Sequence, residues 1–374
     1  MTKINVARLV KPGQPLECGT ADMPAPGPKD VRVRVAACGL VPNTYNIVNG
    51  RTPFILQDLP AVFGLDVSGT IDAVGENVLH LKVGDRVYVD PFLTCETCHH
   101  CRRGRRDLCA YHCLRGYCAW SPEAVPLLNS YPLGGMSEYI LSPHNKVALL
   151  PDSIDFLTAA RFGYIGTTFG ALAKGGFGPG QTLLINGITG TLGVAAVAIA
   201  LGMGASRILG TGRNRELLAK VRQMAPERVD VKSAEDGDVV SWVQSQTAGY
   251  GVDVLYDCLG VGGDTESTNK LITAVKDGGK AVLVAGGAVG DVGRPYFEHL
   301  MHDVQIMGSQ WFTDIDLERM IAMIASGAID MSYLNHRQFS LSEVNDAINF
   351  IGNRPGGFTN VVVIPGQFGQ LASL

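Results

Sequence analysis

The chain has 374 residues, of which 46% are hydrophobic and 18% charged, and its formal net charge at pH 7 is −4. This length predicts more than one domain, and the composition is that of a soluble globular protein. The slightly acidic charge argues against a nucleic-acid or membrane-surface role. The sequence shows neither a signal-peptide pattern nor an apolar run of the roughly 18 residues that a membrane span needs. We therefore expect a cytoplasmic protein that acts on a small molecule.

The first part of the sequence, to about residue 155, carries short strand patterns separated by glycine and proline. Residues 31–36 alternate apolar and charged side chains, as in a half-buried strand. Residues 60–75 and 81–90 show two further strand regions. Because helix signals are few here, we predict a compact β-rich domain.

Four cysteines follow these strands on one short segment. Cys95, Cys98, Cys101 and Cys109 have the spacing C-x2-C-x2-C-x7-C. Four thiolates on one loop suit a closed tetrahedral zinc site, which leaves no open position for a substrate. Nine cysteines in a chain without a signal pattern also favour metal binding over disulfides. We predict that these four residues hold one structural Zn²⁺.

The segment 182–201 has the pattern of a nucleotide-binding turn. A short apolar run predicts a buried strand, three glycines with the spacing G-x-x-G-x-x-G predict a turn, and small apolar residues predict a helix. The glycines permit close backbone approach, and the helix N-terminus offers N–H groups to a pyrophosphate. The residues expected at the cofactor phosphates are Gly187, Gly190, Thr191, Leu192 and Gly193.

The next strand, at residues 207–212, ends where an NAD-preferring site carries an acidic residue for the ribose 2′-hydroxyl. Gly212 takes that place here, and Arg213 and Arg215 follow. Arginine binds a 2′-phosphate bidentately, whereas a carboxylate would repel it. The sequence thus favours NADP(H), unless both arginines point to solvent. Two more parallel strands are predicted near residues 252–260 and from 280, and Gly286 is expected to let the backbone approach the nicotinamide.

These motifs in this order resemble a known family. Gly64-x-Asp66-x-x-Gly69, residues 83–87 (Val-Gly-Asp-Arg-Val), the cysteine loop and the glycine turn are similar to the medium-chain dehydrogenase/reductase superfamily, which includes zinc alcohol dehydrogenases and quinone oxidoreductases. The resemblance implies an α/β protein with a GroES-like β-rich catalytic domain, residues 1–155 and 299–374. A Rossmann doubly wound parallel sheet, residues 156–298, would interrupt it, with the active site in the cleft between. A homodimer or homotetramer, formed through the strand at 304–309, is also implied.

The sequence departs from this family at the three ligands of the catalytic zinc. In zinc-dependent members these are a cysteine after a Gly-x pair, the histidine of Gly-His-Glu, and a cysteine or acidic residue before a Gly-x-Thr. Val41, Leu65 and Tyr164 stand at the matching positions. Valine and leucine carry no lone pair, and a neutral phenol is a poor zinc ligand. We expect the structural zinc to be kept and the catalytic zinc to be absent.

The resemblance also implies which residues surround the vacated metal position. Asn43 stands where zinc members have a proton-relay Ser or Thr, and Thr168 matches a position that contacts the nicotinamide. Tyr45 and Tyr164 are the best candidates for a proton donor, although each is equally explained by packing. Asp66 belongs to this site, and a structural role, with a neighbouring arginine as partner, is favoured for it.

Three functions remain open from the sequence. The leading hypothesis is an NADPH-dependent oxidoreductase that reduces an activated C=C bond or a quinone without a catalytic zinc, because metal-free members of the family commonly do so. An alcohol dehydrogenase or carbonyl/imine reductase with a tyrosine proton donor is the first alternative. A non-catalytic NADPH-binding protein is the second.

Overall fold

The computed structural model describes residues 2–260, 262–286 and 288–366. Its strands are β1 Lys3–Arg8, β2 Glu17–Asp22, β3 Asp30–Leu40, β4 Asp66–Val74, β5 Arg86–Val89, β6 Phe92–Leu93, β7 Cys113–Leu114, β8 Cys118–Ala119, β9 Tyr139–Pro143, β10 Val147–Leu149, β11 Thr182–Asn186, β12 Arg207–Gly212, β13 Val229–Ser233, β14 Val252–Asp257, β15 Val275–Leu283, β16 Gln305–Gly308, β17 Asn335–Ser340 and β18 Thr359–Ile364. Its α-helices are α1 Pro42–Val48, α2 Val125–Asn129, α3 Phe156–Ala159, α4 Phe162–Lys174, α5 Thr191–Gly202, α6 Arg215–Gln223, α7 Val239–Gln246, α8 Thr265–Ile272, α9 Tyr296–His302, α10 Asp314–Ala325 and α11 Val344–Gly352.

The chain divides into two compact units. The first runs to Gly163 and resumes at Leu334–Pro355 and from Thr359 onward, and the second comprises Tyr164–Tyr333 and Gly356–Phe358. These bounds differ from the predicted domain bounds, which lie at 155/156 and 298/299. The larger difference is at the second boundary, predicted at 298/299. Residues 299–333 stay with the second unit, because β16 pairs with β15.

The first unit is built on a seven-stranded sheet with the order β10-β5-β4-β3-β18-β17, and β9 also pairs with β3. All pairs are antiparallel except β17 with β18. Strand β3 shows why the alternating sequence forms it, since Val31, Val33 and Val35 are buried and Arg34 is exposed. The cysteine loop lies between β6 and β7, next to a small sheet of β6, β7 and β8.

The second unit is a six-stranded parallel sheet with the order β13-β12-β11-β14-β15-β16. The strand order reverses between β11 and β14, which is where doubly wound sheets bind their ligands. Helix α5 packs closely because its eight buried residues, from Gly193 to Ala200, are mostly small. These two sheets confirm the predicted fold class. Within the ranges that the structure describes, no helix combines the length and apolar character needed to cross a membrane.

Candidate metal centre and cofactor site

The four cysteines of the predicted zinc site come together on their loop. Their Sγ atoms all lie within 4.8 Å of one another. The Cys95 sulfur is 3.6 Å from that of Cys109 and 4.0 Å from that of Cys101. A tetrahedral zinc with bonds of about 2.3 Å separates its sulfurs by about 3.8 Å. The cluster therefore fits a structural zinc, and it is the only group of three or more close His, Cys, Asp or Glu side chains in the described residues.

Short turns and backbone donors shape this loop around the sulfurs. The turn at residues 101–103 ends at Gly104, which takes the left-handed conformation with φ of 73°. The backbone N–H of Cys95 points to the Cys109 sulfur, and that of Cys101 to the Cys98 sulfur, both at 3.5 Å. Burial raises the pKa of Cys101 to about 12, whereas N–H donors outweigh burial and lower the pKa of Cys95 to about 6. A divalent cation would favour the thiolate at all four positions.

Two of the three residues predicted to replace the catalytic zinc ligands lie at one end of the first unit's sheet. Gly39 of β3 pairs with Asp66 of β4, so Val41, just after β3, and Leu65, just before β4, leave the sheet at the same end. Both side chains are buried, at 0% and 2% exposure. Neither hydrocarbon side chain can ligate a cation, so these residues do not fit a zinc ion.

Asp66 is fully buried next to these positions, and one of its two side-chain oxygens accepts hydrogen bonds. Its Oδ1 accepts hydrogen bonds from the Tyr88 hydroxyl at 3.0 Å and the Gly163 N–H at 2.8 Å. Its Oδ2 has no hydrogen-bond partner among the described residues. Burial raises the pKa of Asp66 to about 7, against the effect of these two bonds and of the positive charge of Arg161. The contacts join β4, β5 and the start of α4, as a structural residue would.

The predicted proton-transfer residues of the first unit lie on α1. The Asn43 side-chain oxygen accepts a hydrogen bond from Asn46 at 3.0 Å. The half-buried Tyr45 ring packs against Gly352, where a Cβ atom would lie 2.5 Å from the ring. The Arg51 guanidinium lies 5.1 Å from the centroid of the same ring. Packing thus fixes the ring that carries the Tyr45 hydroxyl.

The structure contains a buried cluster of charged side chains near Asp66 that the sequence analysis did not predict. Arg115, between β7 and β8, is completely buried, and its Nη1 donates to the Leu141 carbonyl at 3.3 Å. Burial lowers the pKa of Arg115 to about 10, and the carboxylate of Asp90 partly offsets this. Asp90 also lies 3.7 Å from the Lys146 ammonium, with both side chains at least 94% buried. Spacing cannot reveal this cluster, because distant segments of the chain supply its members.

The glycine turn of the second unit has the geometry of a phosphate-binding turn. Gly187 takes a left-handed φ of 93°. Helix α5 begins after Gly190, and no side chain caps its N-terminus. A Cβ atom on Gly193 would lie 2.3 Å from the Gly187 carbonyl oxygen, whereas one on Gly190 would meet nothing closer than 3.4 Å. Gly193 is thus needed by the turn itself, whereas Gly190 precedes α5 and Thr191 and Leu192 begin it, where the sequence predicts the phosphate.

A buried hydrogen-bond network that the sequence did not indicate joins the strand ends below the turn. The Asn186 amide of β11 donates to the Asp257 carboxylate of β14 at 2.8 Å. The Thr211 hydroxyl of β12 donates to the Asn186 oxygen at 3.0 Å, and Thr268 of α8 donates to Asp257 at 2.8 Å. The network fixes the carboxyl ends of three neighbouring strands and thereby the start of the glycine turn.

The residues predicted to bind the ribose lie at the carboxyl end of β12. A Cβ on Gly212 would lie 3.0 Å from the Thr189 methyl group, so Gly212 faces the glycine turn without a side chain. Arg213 is exposed. Arg215 is also exposed, but its guanidinium forms a bidentate pair with Asp236, at 2.9 and 2.6 Å. Residue spacing does not predict this ion pair, because Asp236 follows a different strand, β13.

Two further predicted cofactor residues occupy contrasting environments. Thr168 is completely buried, and its hydroxyl donates to the Tyr164 carbonyl and accepts from the Tyr256 hydroxyl, both at 2.9 Å. Gly286 is exposed after β15, and a Cβ there would meet nothing within 4 Å. Gly286 therefore has room for a ligand, whereas the Thr168 hydroxyl already has two protein partners.

Comparison with known proteins decides the family. The alcohol dehydrogenase GroES-like domain matches residues 27–152, and the zinc-binding dehydrogenase family matches residues 191–326. An alcohol dehydrogenase of Geobacillus stearothermophilus is 30% identical over 319 residues, covering 84% of this chain and 87% of that one. The chain belongs to the medium-chain dehydrogenase/reductase superfamily. The predicted family is confirmed, and the protein is an oxidoreductase of this family.

Two further relatives place this dehydrogenase in context. The sorbitol dehydrogenase of Bacillus subtilis is 28% identical over 323 residues, or 85% of each chain. A Sinorhizobium meliloti 1021 protein, described as a zinc-binding dehydrogenase and bound to NADP, is 25% identical and superposes with a TM-score of 0.82 over 98% of this chain and 100% of that chain. The relatives are small-molecule dehydrogenases, and the cysteine cluster fits the structural zinc.

Proposed function

We propose that this dehydrogenase is an NADP(H)-dependent reductase that transfers hydride without a catalytic zinc, to a C=C bond conjugated with a carbonyl group or to a quinone. One observation carries the proposal. At two of the three ligand positions the protein has the buried hydrocarbon side chains of Val41 and Leu65. A carbonyl oxygen there would meet no Lewis acid, so the developing negative charge must be met by hydrogen-bond or proton donors.

The cofactor part of the proposal rests on the second unit. Gly190 and the uncapped start of α5 suit a pyrophosphate, and Gly212 offers no carboxylate to repel a 2′-phosphate. The exposed Arg213 is available at the same strand end. The NADP bound by the Sinorhizobium meliloti relative supports this choice of coenzyme.

The reaction balances without a metal. When bound, the reduced nicotinamide supplies a hydride, which adds to the β carbon of the unsaturated carbonyl compound. The C=C electron pair moves toward the carbonyl oxygen, and the resulting enolate takes one proton at its α carbon. In total the substrate gains one hydride, which carries two electrons, and one proton. The nicotinamide is oxidised in the same reaction.

We propose that a side chain of the protein donates the proton to the α carbon. Tyr45 is the first candidate, because packing against Gly352 holds its ring and leaves the hydroxyl at the ring's far end. Tyr164 is the second. Asn43 is expected to orient the donor, and Asp66 to position β4 and α4 through Tyr88 and Gly163. Each of these roles is a proposal for mutagenesis.

The direct test is an NADPH-consumption assay with enones and quinones on protein treated with a chelator under conditions that leave the structural zinc bound. We expect turnover with at least one substrate class, preference for NADPH over NADH, and no gain on adding Zn²⁺. Activity that appears only after Zn²⁺ addition would contradict the proposal. NADPH binding without turnover of any substrate would instead support a non-catalytic binding protein.

An alcohol or polyol dehydrogenase is the second candidate, and the names of the relatives favour it. These include sorbitol dehydrogenase, L-idonate 5-dehydrogenase and alcohol dehydrogenases. In that case Tyr45 or Tyr164 would accept the proton of the alcohol hydroxyl, without the help of a catalytic zinc. Oxidation of secondary alcohols or polyols with NADP⁺, at a higher rate than enone reduction, would select this candidate.

Self-association through the second unit is part of the proposal. β16 is the edge strand of the six-stranded sheet, and among the described residues no strand pairs with its outer side. Helix α9 next to it in sequence exposes four large apolar side chains, with the exposed fractions 86%, 67%, 67% and 59% for Tyr296, Phe297, Leu300 and Met301. A homodimer through this edge would cover both features, and a tetramer would add a second interface. Light scattering of the purified protein distinguishes these states.

A further inference from the structure

The ion pair at the carboxyl ends of β12 and β13 has a consequence for the choice of coenzyme. Arg215 follows β12, and Asp236 follows β13. The two strands pair in parallel, with Gly212 opposite Ser233, so each residue lies three positions beyond one of these partners. The backbone reinforces the arrangement, because the N–H of Ala234 donates to the Gly212 carbonyl and that of Asp236 to the Ser233 carbonyl.

We propose that Asp236 is a coenzyme-specificity residue, which competes with the 2′-phosphate of NADP(H) for the guanidinium of Arg215. This inference rests on the proposed coenzyme site at Gly212. Both nitrogens of the Arg215 fork bind the two Asp236 oxygens, at 2.9 and 2.6 Å. A 2′-phosphate needs the same fork geometry, so Arg215 cannot serve both partners fully.

The carboxylate also acts by its charge. In NAD-preferring members of the family an acidic residue stands at the end of β12, where this protein has Gly212. Asp236 places one negative charge at the same end of the sheet, after the neighbouring strand β13. Glu235 adds a second negative charge near Arg215, and Lys232 a positive charge near Asp236. Arg213 is exposed, and no ion pair among the described residues involves it. We therefore expect only a weak preference for NADPH over NADH, because Arg215 is not fully available to the 2′-phosphate.

The same two strands offer a matched control. Arg207, at the start of β12, pairs with Asp230 of β13 at 2.6 Å. This arginine–aspartate pair joins the same two strands, but it lies toward their amino ends, away from the glycine turn. Its removal changes the charge by the same amount without changing the coenzyme site.

The experiment compares Asp236→Asn with Asp230→Asn by fluorescence titration of the full-length protein with NADPH and with NADH. We expect Asp236→Asn to raise the ratio of the NADH to the NADPH dissociation constant by about three- to tenfold, which is the range for an exposed pair together with the loss of one repulsive charge. The effect should shrink at high salt, because exposed charges are screened. Asp230→Asn should leave the ratio unchanged.

A second variant keeps the test decisive. We expect Asp236→Asn to have a smaller effect when it is combined with Arg215→Gln, because its main partner is then absent. The change in the logarithm of the ratio of the NADH to the NADPH dissociation constant should be less than half of the change that Asp236→Asn causes alone. An unchanged ratio in Asp236→Asn, or an equal change in Asp230→Asn, would overturn this inference while the proposed coenzyme function stands. A rise of the NADH dissociation constant alone would show that Asp236 binds the ribose hydroxyl, which also overturns it. Failure of the unaltered protein to bind either coenzyme would overturn the proposed function and this inference with it.

Discussion

Two sites of the first unit hold charged side chains in different ways, and the contrast bears on the proposal that this protein keeps a structural zinc but has no catalytic one. In the cysteine loop, four sulfurs within 4.8 Å of one another lie on one short segment and suit a single cation. Around Asp66, the carboxylates, Arg115 and Lys146 are held by hydrogen bonds and ion pairs from distant segments. We expect the loop to depend on its metal for its shape, and the cluster around Asp66 to keep its shape without one.

The largest expected effect comes from breaking the metal-held cluster. Cys101→Ser removes one of four ligands, and we expect zinc content to fall from one per chain to near zero and the free energy of unfolding to fall on the order of 5 kcal/mol. Elemental mass spectrometry and urea unfolding measure the two effects. Cys18→Ser, which removes an exposed thiol outside the cluster, is the control and should change neither. Unaltered zinc content in Cys101→Ser would contradict the ligand assignment.

The charged cluster held without metal is tested at Lys146. Lys146→Met removes one of the two cations near the buried Asp90 carboxylate and leaves Arg115, so we expect a loss of about 3 kcal/mol in the free energy of unfolding, with zinc content unchanged. Lys146→Arg keeps the charge and should lose much less. Equal stability of the Met variant and the unaltered protein would show that Asp90 does not depend on this ammonium. Urea unfolding at pH 7 provides the measurement.

The proposed hydride transfer without a catalytic zinc is tested through the proposed proton donor. Tyr45→Phe keeps the ring and its packing against Gly352 but removes the hydroxyl, so we expect kcat to fall about 10²-fold with little change in KM. Tyr250→Phe, on an exposed tyrosine of the second unit, is the matched control. An unchanged kcat in Tyr45→Phe would exclude Tyr45 as the donor and direct the same test to Tyr164.

The smallest effect is a pH dependence that originates at Asp66. Burial raises its pKa in the folded state to about 7, so its stabilising contribution is present below the pKa of the unfolded chain, near 4, and is lost as the pH rises through 7. Asp66→Asn removes the buried charge and keeps an oxygen for Tyr88 and Gly163. Relative to the unaltered protein, we expect the variant to gain about 1–2 kcal/mol in free energy of unfolding between pH 5 and pH 8. Parallel pH profiles of the two proteins would contradict this.

Sequence reasoning succeeded where the chemistry is local. The cysteine spacing, the glycine turn and the alternating pattern of β3 each lie within about twenty residues, so their geometry follows from chain reach and backbone sterics. The order of the motifs identified the family, which in turn supplied the two sheets. Val41 and Leu65 were identifiable as departures because their neighbours match the family pattern.

Long-range partners were beyond the reach of the sequence. Register alone brings Asp236 to Arg215, and no spacing rule connects residues on separate strand exits. Thr168 matched a cofactor position, yet its hydroxyl is engaged by Tyr256, which lies 88 residues later in the chain. Arg115 sits in an aromatic-rich segment that gives no hint of a completely buried guanidinium. In each case the missing information is a tertiary contact.

Zinc per chain, measured by elemental mass spectrometry on the purified, unaltered protein, tests the central contrast most directly. We predict one zinc per chain, bound by Cys95, Cys98, Cys101 and Cys109 and lost in Cys101→Ser. Two zincs per chain, with one retained in Cys101→Ser, would contradict the account, because a second metal would then occupy the site that Val41 and Leu65 are argued to have vacated.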